Sequence, residues 1–247
     1  MVPCPWFAAA ADWARAHPDA DLGVHATLNA EWAGYRWRPV ASLDTATGLM
    51  DGDGYFYDDP ESTWAHADPV AVRHEVETQV ERALAAGIDI THIDTHMLAL
   101  SHPKLAPGYV QTLRRFRVPG LVPRDYAAQL ARFDVPDDGK AAGLIDGLAT
   151  GGFPLIDAID YMPLDDPEDQ VGLAIRKLRA LPAGITHFLM HPAIDTPELR
   201  AMAPDWPSRV ANYEAFKSRE LKTFLKESGI QVIGYRPLRD LLRATSG

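Results

Sequence analysis

Three short apolar runs in this chain each lead into a histidine. They are Leu22-Gly23-Val24-His25, Ile88-Asp89-Ile90 with its continuation Thr91-His92-Ile93-Asp94-Thr95-His96, and Phe188-Leu189-Met190-His191-Pro192. Short apolar runs of this kind read as strands. Helix-like segments separate them, so the strands are expected to run parallel, joined by right-handed crossovers. Parallel strands that each finish in a histidine would gather those histidines at one end of a sheet, where α/β folds keep their sites. In the middle run, side chains alternate between faces, so His92, Asp94 and His96 share one side. The same spacing would align His92 and His96 on a helix. The β-branched Ile88, Ile90 and Ile93 favour the strand. Two imidazoles and a carboxylate on one face suit a divalent cation or a hydrolytic centre.

The rest of the chain keeps the alternation. Residues 7–16 read as a helix and 21–28 as a strand. Residues 31–57, rich in Trp, Tyr and Gly, read as a long functional loop, since loops of this length rarely lack a purpose. Residues 68–86 form an amphipathic helix with Val72, Val76, Val80 and Leu84 as its stripe, Pro69 at the start and Gly87 at the end. A strand over 88–96, a helix over 103–116 and a short strand over 118–122 follow. Between 124 and 165 only 152–159 reads as a buried strand. The pattern closes with a helix over 167–181, a strand over 184–191, a long helix over 208–228 and a last strand over 230–235. With no internal repeat or linker, one α/β domain over residues 1–247 is expected, as a barrel or an open sheet.

Composition removes several classes of function. The net charge of -10 argues against nucleic-acid binding, which rests on basic surface. Cys4 is the only cysteine, so an intrachain disulfide and a thiolate zinc site are excluded. No apolar run is long enough to span a bilayer. The first seven residues carry two prolines and no basic group, which makes a poor signal peptide. They read as the end of a strand entering the first helix. A cytoplasmic location without membrane contact is expected. Among the other histidines, His17, His66 and His74 read as surface groups, His102 as a cap before Pro103, and His187 as a core residue.

The order of the motifs adds more than any one of them. Gly23-Val24-His25-Ala26-Thr27-Leu28, then Thr91-His92-Ile93-Asp94-Thr95-His96, then Met190-His191-Pro192-Ala193 resembles the YdjC-like carbohydrate deacetylases. Glu31-Trp32, Tyr35-Arg36-Trp37 and Gly234-Tyr235-Arg236-Pro237-Leu238 resemble one branch of that family. The resemblance implies a distorted TIM-like β/α barrel and a divalent metal, magnesium or zinc, that removes acetyl groups from N-acetylated sugars. It implies metal ligation by His25 and His96, a catalytic role for His191, and a supporting role for His92. Asp94 lies in the same motif and is the carboxylate this sequence offers for catalysis. The aromatic residues Trp32 and Trp37 suit a sugar face, with core packing as the competing explanation. A small carbohydrate is the expected partner, and a homodimer is one assembly left open.

The sequence departs from the family at its start. Family members begin with a strand ending in an Asp-Asp pair, one aspartate for the metal and one as base. Here Met1-Val2-Pro3-Cys4-Pro5-Trp6-Phe7 lines up beyond that first βα unit. Asp51, Asp53, Asp58 and Asp59 have no feature that puts them in its place. Three readings stand open: an internal methionine of a longer deacetylase, a degenerate fold that binds a sugar or protein without turnover, or an altered site completed by another carboxylate such as Asp94.

Overall fold

The computed structural model describes residues 2–137, 139 and 141–244. In chain order the elements are α1 (Phe7–Ala16), β1 (Leu22–Ala26), α2 (Pro60–His66), α3 (Pro69–Ala85), β2 (Ile90–Thr95), α4 (Ala106–Phe116), α5 (Tyr126–Arg132) and α6 (Ala141–Thr150). Then come β3 (Ala158–Tyr161), α7 (Gln170–Arg179), β4 (Thr186–Leu189), α8 (Pro197–Met202), α9 (Trp206–Lys217), α10 (Arg219–Glu227) and α11 (Arg236–Ala244). Helices alternating with parallel strands are the pattern expected of a distorted β/α barrel. The chain forms two compact units, Met1–Leu155 with Gly234–Gly247, and Ile156–Ile233.

In the first unit β1 and β2 pair in parallel, with Val24 opposite Ile93, His25 opposite Asp94 and Ala26 opposite Thr95. On the other edge of β2 a single parallel bridge joins Ile93 to Gly120. This bridge is what stands where a strand over 118–122 was expected. The Tyr109 hydroxyl donates to the Ile93 carbonyl and accepts from Leu121 N at 2.9 Å, tying α4 to β2. Beneath the pair, Val24, Ala26 and Ile93 share one core with Val72, Val76 and Val80 of α3.

Helix α3 starts where its sequence says it should. The Asp68 carboxylate accepts from Ala71 N at 2.8 Å, and Pro69 opens the first turn. Its apolar stripe drifts, however. Leu84 is exposed and Ala83 is buried in its place. Steps of four residues turn about 40° past a full 3.6-residue turn each time, so after three steps Leu84 has left the face that Val72 began.

Several expected elements differ. Helix α2 fills a stretch to which the pattern assigned nothing, capped by Asp59 with Pro60 in its first turn. A 3₁₀ turn over His96–Ser101 ends β2 one residue early, and α4 begins at Ala106. Helices α5 and α6 occupy part of the unreadable middle, and β3 starts at Ala158 rather than 152. Residues 2–6 form turns, not the end of a strand. Among the described residues no helix is long and apolar enough to cross a membrane.

In the second unit β3 and β4 pair in parallel from Ala158 opposite Thr186 to Tyr161 opposite Leu189. Met162, Ala174, Leu178 and Leu221 form its core. The expected helix over 208–228 is two helices. Ser218 ends α9 and caps α10, its hydroxyl accepting from Leu221 N at 3.2 Å. Residues 230–235 make no strand and lead into α11, which the periodicity did not reveal.

Candidate functional site

The alternation of β1 and β2 decides which side chains are available. Val24, Ala26, Thr91, Ile93 and Thr95 are buried, while Gly23, His25, His92 and Asp94 keep partial exposure on the opposite face. The register then sets His25 beside Asp94, with Nδ1 2.9 Å from Oδ2. His96 opens the turn after β2. Its Nδ1 lies 3.2 Å from His25 Nε2, and the two rings meet edge to face at 68°. Its Nε2 lies 2.9 Å from Glu31 Oε2, on the loop that follows β1. The four side chains form a row, Asp94–His25–His96–Glu31. Asp94 and His96 keep 13% and 12% of their side-chain exposure and His25 keeps 31%, so the row is most accessible at His25.

The turn beyond His96 is strained. Met97 and Leu98 sit in the left-handed region at φ +49° and +55°, which residues with a Cβ seldom adopt. The Thr95 hydroxyl accepts from Leu100 N at 2.9 Å and closes the turn. Sequence and packing thus fix the backbone on both sides of His96.

Counting protons along the row shows what it can do. Carboxylates only accept, so Asp94 takes the Nδ1–H of His25 and Glu31 takes the Nε2–H of His96. In the neutral rings the remaining nitrogens, His25 Nε2 and His96 Nδ1, then present lone pairs to each other across 3.2 Å. That contact is repulsive unless a positive centre, a proton or a cation, lies between them. The donor set therefore fits two ligands of a divalent cation. Among the described residues no group of three or more His, Cys, Asp or Glu side chains is arranged to hold a metal. The two histidines make a half-site, one ligand short of the usual three in catalytic zinc centres.

His92 stands apart from this row. Its ring stacks on Tyr235 at 4.1 Å, and its Nδ1 lies 3.0 Å from the Thr91 hydroxyl. That hydroxyl donates to Asp21 at 2.5 Å, and Asp21 accepts Arg236 N at 2.8 Å. The His92 group thus anchors the start of α11 to β1 and β2. Burial holds the imidazole below its ordinary 6.5, outweighing the pull of Asp94 and Asp21, with His25 pushing the same way as burial. The folded ring binds a proton less readily than the unfolded chain, which protonates near 6.5, so stability falls as pH drops below that value. His92→Phe keeps a ring on Tyr235 and is expected to flatten that part of the stability profile. A urea titration series between pH 7 and about 5 checks it; an unchanged slope would exclude His92 as the source.

Of the two tryptophans expected at a sugar face, Trp37 belongs to the core. It is 3% exposed, and its indole N–H donates to the Asn29 carbonyl at 2.8 Å. Trp32 is partly exposed and meets Trp37 edge to face at 6.2 Å, with Tyr35 completing the cluster. Asp51 pairs with Arg36 at 2.6 Å, and Asp59 caps α2 by accepting from Ser62 N at 2.7 Å. Both have structural partners. His191 follows β4 in the second unit, and its backbone N–H donates to Asn212 Oδ1 at 3.2 Å. Buried Asn212 in turn donates to Gln170 at 2.9 Å, fixing the chain at His191. The structure thus brings His25, Asp94 and His96 together and leaves His191 in a separate unit. Sequence reasoning did not single out Glu31 for the site. It lies in an irregular loop where no periodicity marks it, and its only signal was the adjacent Trp32.

A family model described as YdjC-like protein matches residues 1–227. The chain belongs to the YdjC-like family. A relative from Thermus thermophilus, named carbohydrate deacetylase, is 34% identical over 93% of this chain and 82% of its own length. Another carbohydrate deacetylase, from Thermoanaerobacter pseudethanolicus, is 25% identical over 90% of this chain and 79% of its own. The fold is shared with a crystal structure from Enterococcus faecalis, a candidate cellobiose-phosphate cleavage protein. It superposes with a TM-score of 0.75 at 20% identity, covering 96% of this YdjC-like chain and 85% of the other.

Proposed function

We propose that this chain removes acetyl groups from N-acetylated sugars or oligosaccharides by hydrolysis. The observation that carries the reading is the row of two histidines, each tied outward to a carboxylate, whose remaining nitrogens converge on one point. The relatives named carbohydrate deacetylase support the choice of substrate class. His25 Nε2 and His96 Nδ1 would hold a divalent cation, zinc or magnesium. Bound there, it would polarise the acetyl carbonyl and acidify a water.

The chain's own groups do the rest. Asp94 keeps His25 in the tautomer that leaves Nε2 free of its proton, and Glu31 does the same for Nδ1 of His96. In the hydrolysis the water oxygen bonds to the acetyl carbon and the carbon–nitrogen bond breaks. Asp94 is assigned the proton lost by the water, and the departing amine takes up a proton as it leaves. Trp32 offers its exposed part to a sugar ring, with Trp37 behind it in the core. Trp32→Ala is expected to raise KM roughly tenfold while leaving kcat within about twofold, the pattern of lost uniform binding. A fall in kcat at unchanged KM would remove Trp32 from the binding face.

The two-ligand half-site favours one other reading, a sugar-binding protein without turnover. Acetate release from N-acetylglucosamine oligomers, with and without added zinc or magnesium, separates the two. Metal-dependent release supports the deacetylase. Sugar binding without release, indifferent to chelator and to His96→Ala, establishes the other. Release from simple acetate esters alone would reject a sugar substrate.

A further inference from the structure

Glu75 is fully buried on α3, and its carboxylate reaches the backbone of the long loop after β1. Its two oxygens accept from Val40 N at 3.0 Å, Ala41 N at 2.7 Å and Gln79 Nε2 at 2.8 Å. Gln79, also fully buried, uses its other N–H on the Thr27 carbonyl at 2.8 Å and its oxygen on Thr27 N at 3.0 Å. Thr27 is two residues beyond His25. One turn of α3 therefore brackets two pieces of backbone: the end of the strand that carries His25, and the middle of the loop that carries Glu31.

The loop has its own closure. Ala30 N donates to the Tyr57 carbonyl at 2.8 Å, and Phe56 N donates to the Trp37 carbonyl at 3.1 Å. These bonds shape the loop but do not join it to the rest of the sheet. The Glu75–Gln79 bracket does, and it does so with a buried polar side chain, a costly choice unless its atoms find partners. A carboxylate can satisfy three converging N–H donors, and no apolar residue can.

We propose that Glu75, through Gln79, is a positioning residue that holds the Glu31 loop in register with His25, so that Glu31 meets His96. This rests on the reading of Glu31 and His96 as parts of the site. Glu75 touches neither the histidines nor a substrate. Its effect passes through the loop backbone. Glu75→Gln keeps the shape but leaves one oxygen for three donors, and an N–H must then face an N–H.

The test needs no turnover. Hydrogen exchange of residues 31–57 is expected to quicken roughly ten- to a hundredfold in Glu75→Gln, while amides of α1 and α7 keep their wild-type protection. The ¹⁵N signals of the His96 ring report the second half. They are expected to move as they do in Glu31→Gln, a change that a merely weakened fold would not produce. Gln79→Met cuts the bracket from the strand side and should give the same two changes. Loop amides as protected as in the wild type, or an unmoved His96 signal, would overturn the proposal. So would loss of folding in both variants, because the bracket would then serve the whole fold. A wild-type chain that releases no acetate would reject the deacetylase reading and leave these two measurements standing.

Discussion

Purified His96→Ala is expected to lose bound zinc or magnesium and to release acetate at least about a thousandfold more slowly than wild type. The size follows from what one side chain supplies. His96 gives one of the two facing nitrogens, and its ring stands between Glu31 and His25. Without it His25 Nε2 faces an opening, and one imidazole is a poor anchor for a divalent cation. Glu31 loses its donor as well, leaving a half-buried carboxylate with one fewer partner. Circular dichroism separates this loss from unfolding, since His96 lies on a partly exposed turn, outside the core of α3 and β2. His25→Ala should behave alike. Glu31→Gln should fall between, with about ten- to a hundredfold weaker metal affinity, because the amide oxygen still accepts the His96 proton without its charge. Unchanged metal content in His96→Ala, measured by elemental analysis after dialysis, would remove the metal from the proposed function.

What was legible in the sequence had a local cause. The face shared by His92 and Asp94 was readable because a strand's two-residue period is set by its backbone, whatever the strand pairs with; His96, expected on that face as well, opens the turn beyond the strand instead. Helices α1 and α3 were readable from apolar spacing and, in α3, from Asp68 and Pro69 as well. What failed depended on neighbours. Residues 230–235 have strand composition, yet Val232 and Ile233 stand exposed and the segment enters no ladder among the described residues. A strand is a property of a pair. The break at Ser218 sits in a run of good helix formers, and only the Ser218–Leu221 capping bond marks it. Trp37 and Trp32 read alike in sequence and differ because one indole N–H finds the Asn29 carbonyl inside the core. Glu31 reached the site through a long loop, where pattern carries no information about direction.

Gly23→Ala is expected to cost about 1–3 kcal/mol, lowering Tm by roughly 2–12 °C, although glycine to alanine in a strand interior ordinarily stabilises. The reason is a ring. A Cβ at position 23 would come within 2.5 Å of His92 Nδ1 and Nε2. His92 is not a loose side chain that can swing aside, since Tyr235 stacks on it and the Thr91 hydroxyl holds its Nδ1. Pushing the ring away loosens Tyr235, and with it the Asp21–Arg236 bond that seats α11 beside β1. A double-mutant cycle isolates this cause. In Gly23→Ala/His92→Ala the space is vacant, so the methyl should cost far less than in the single variant, with a coupling of at least about 1 kcal/mol. If the two losses instead add, the clash is not what Gly23 avoids. Gly23 would then owe its place to the irregular register between Leu22 and Val24, where β1 slips against β2 just before His25 reaches Asp94.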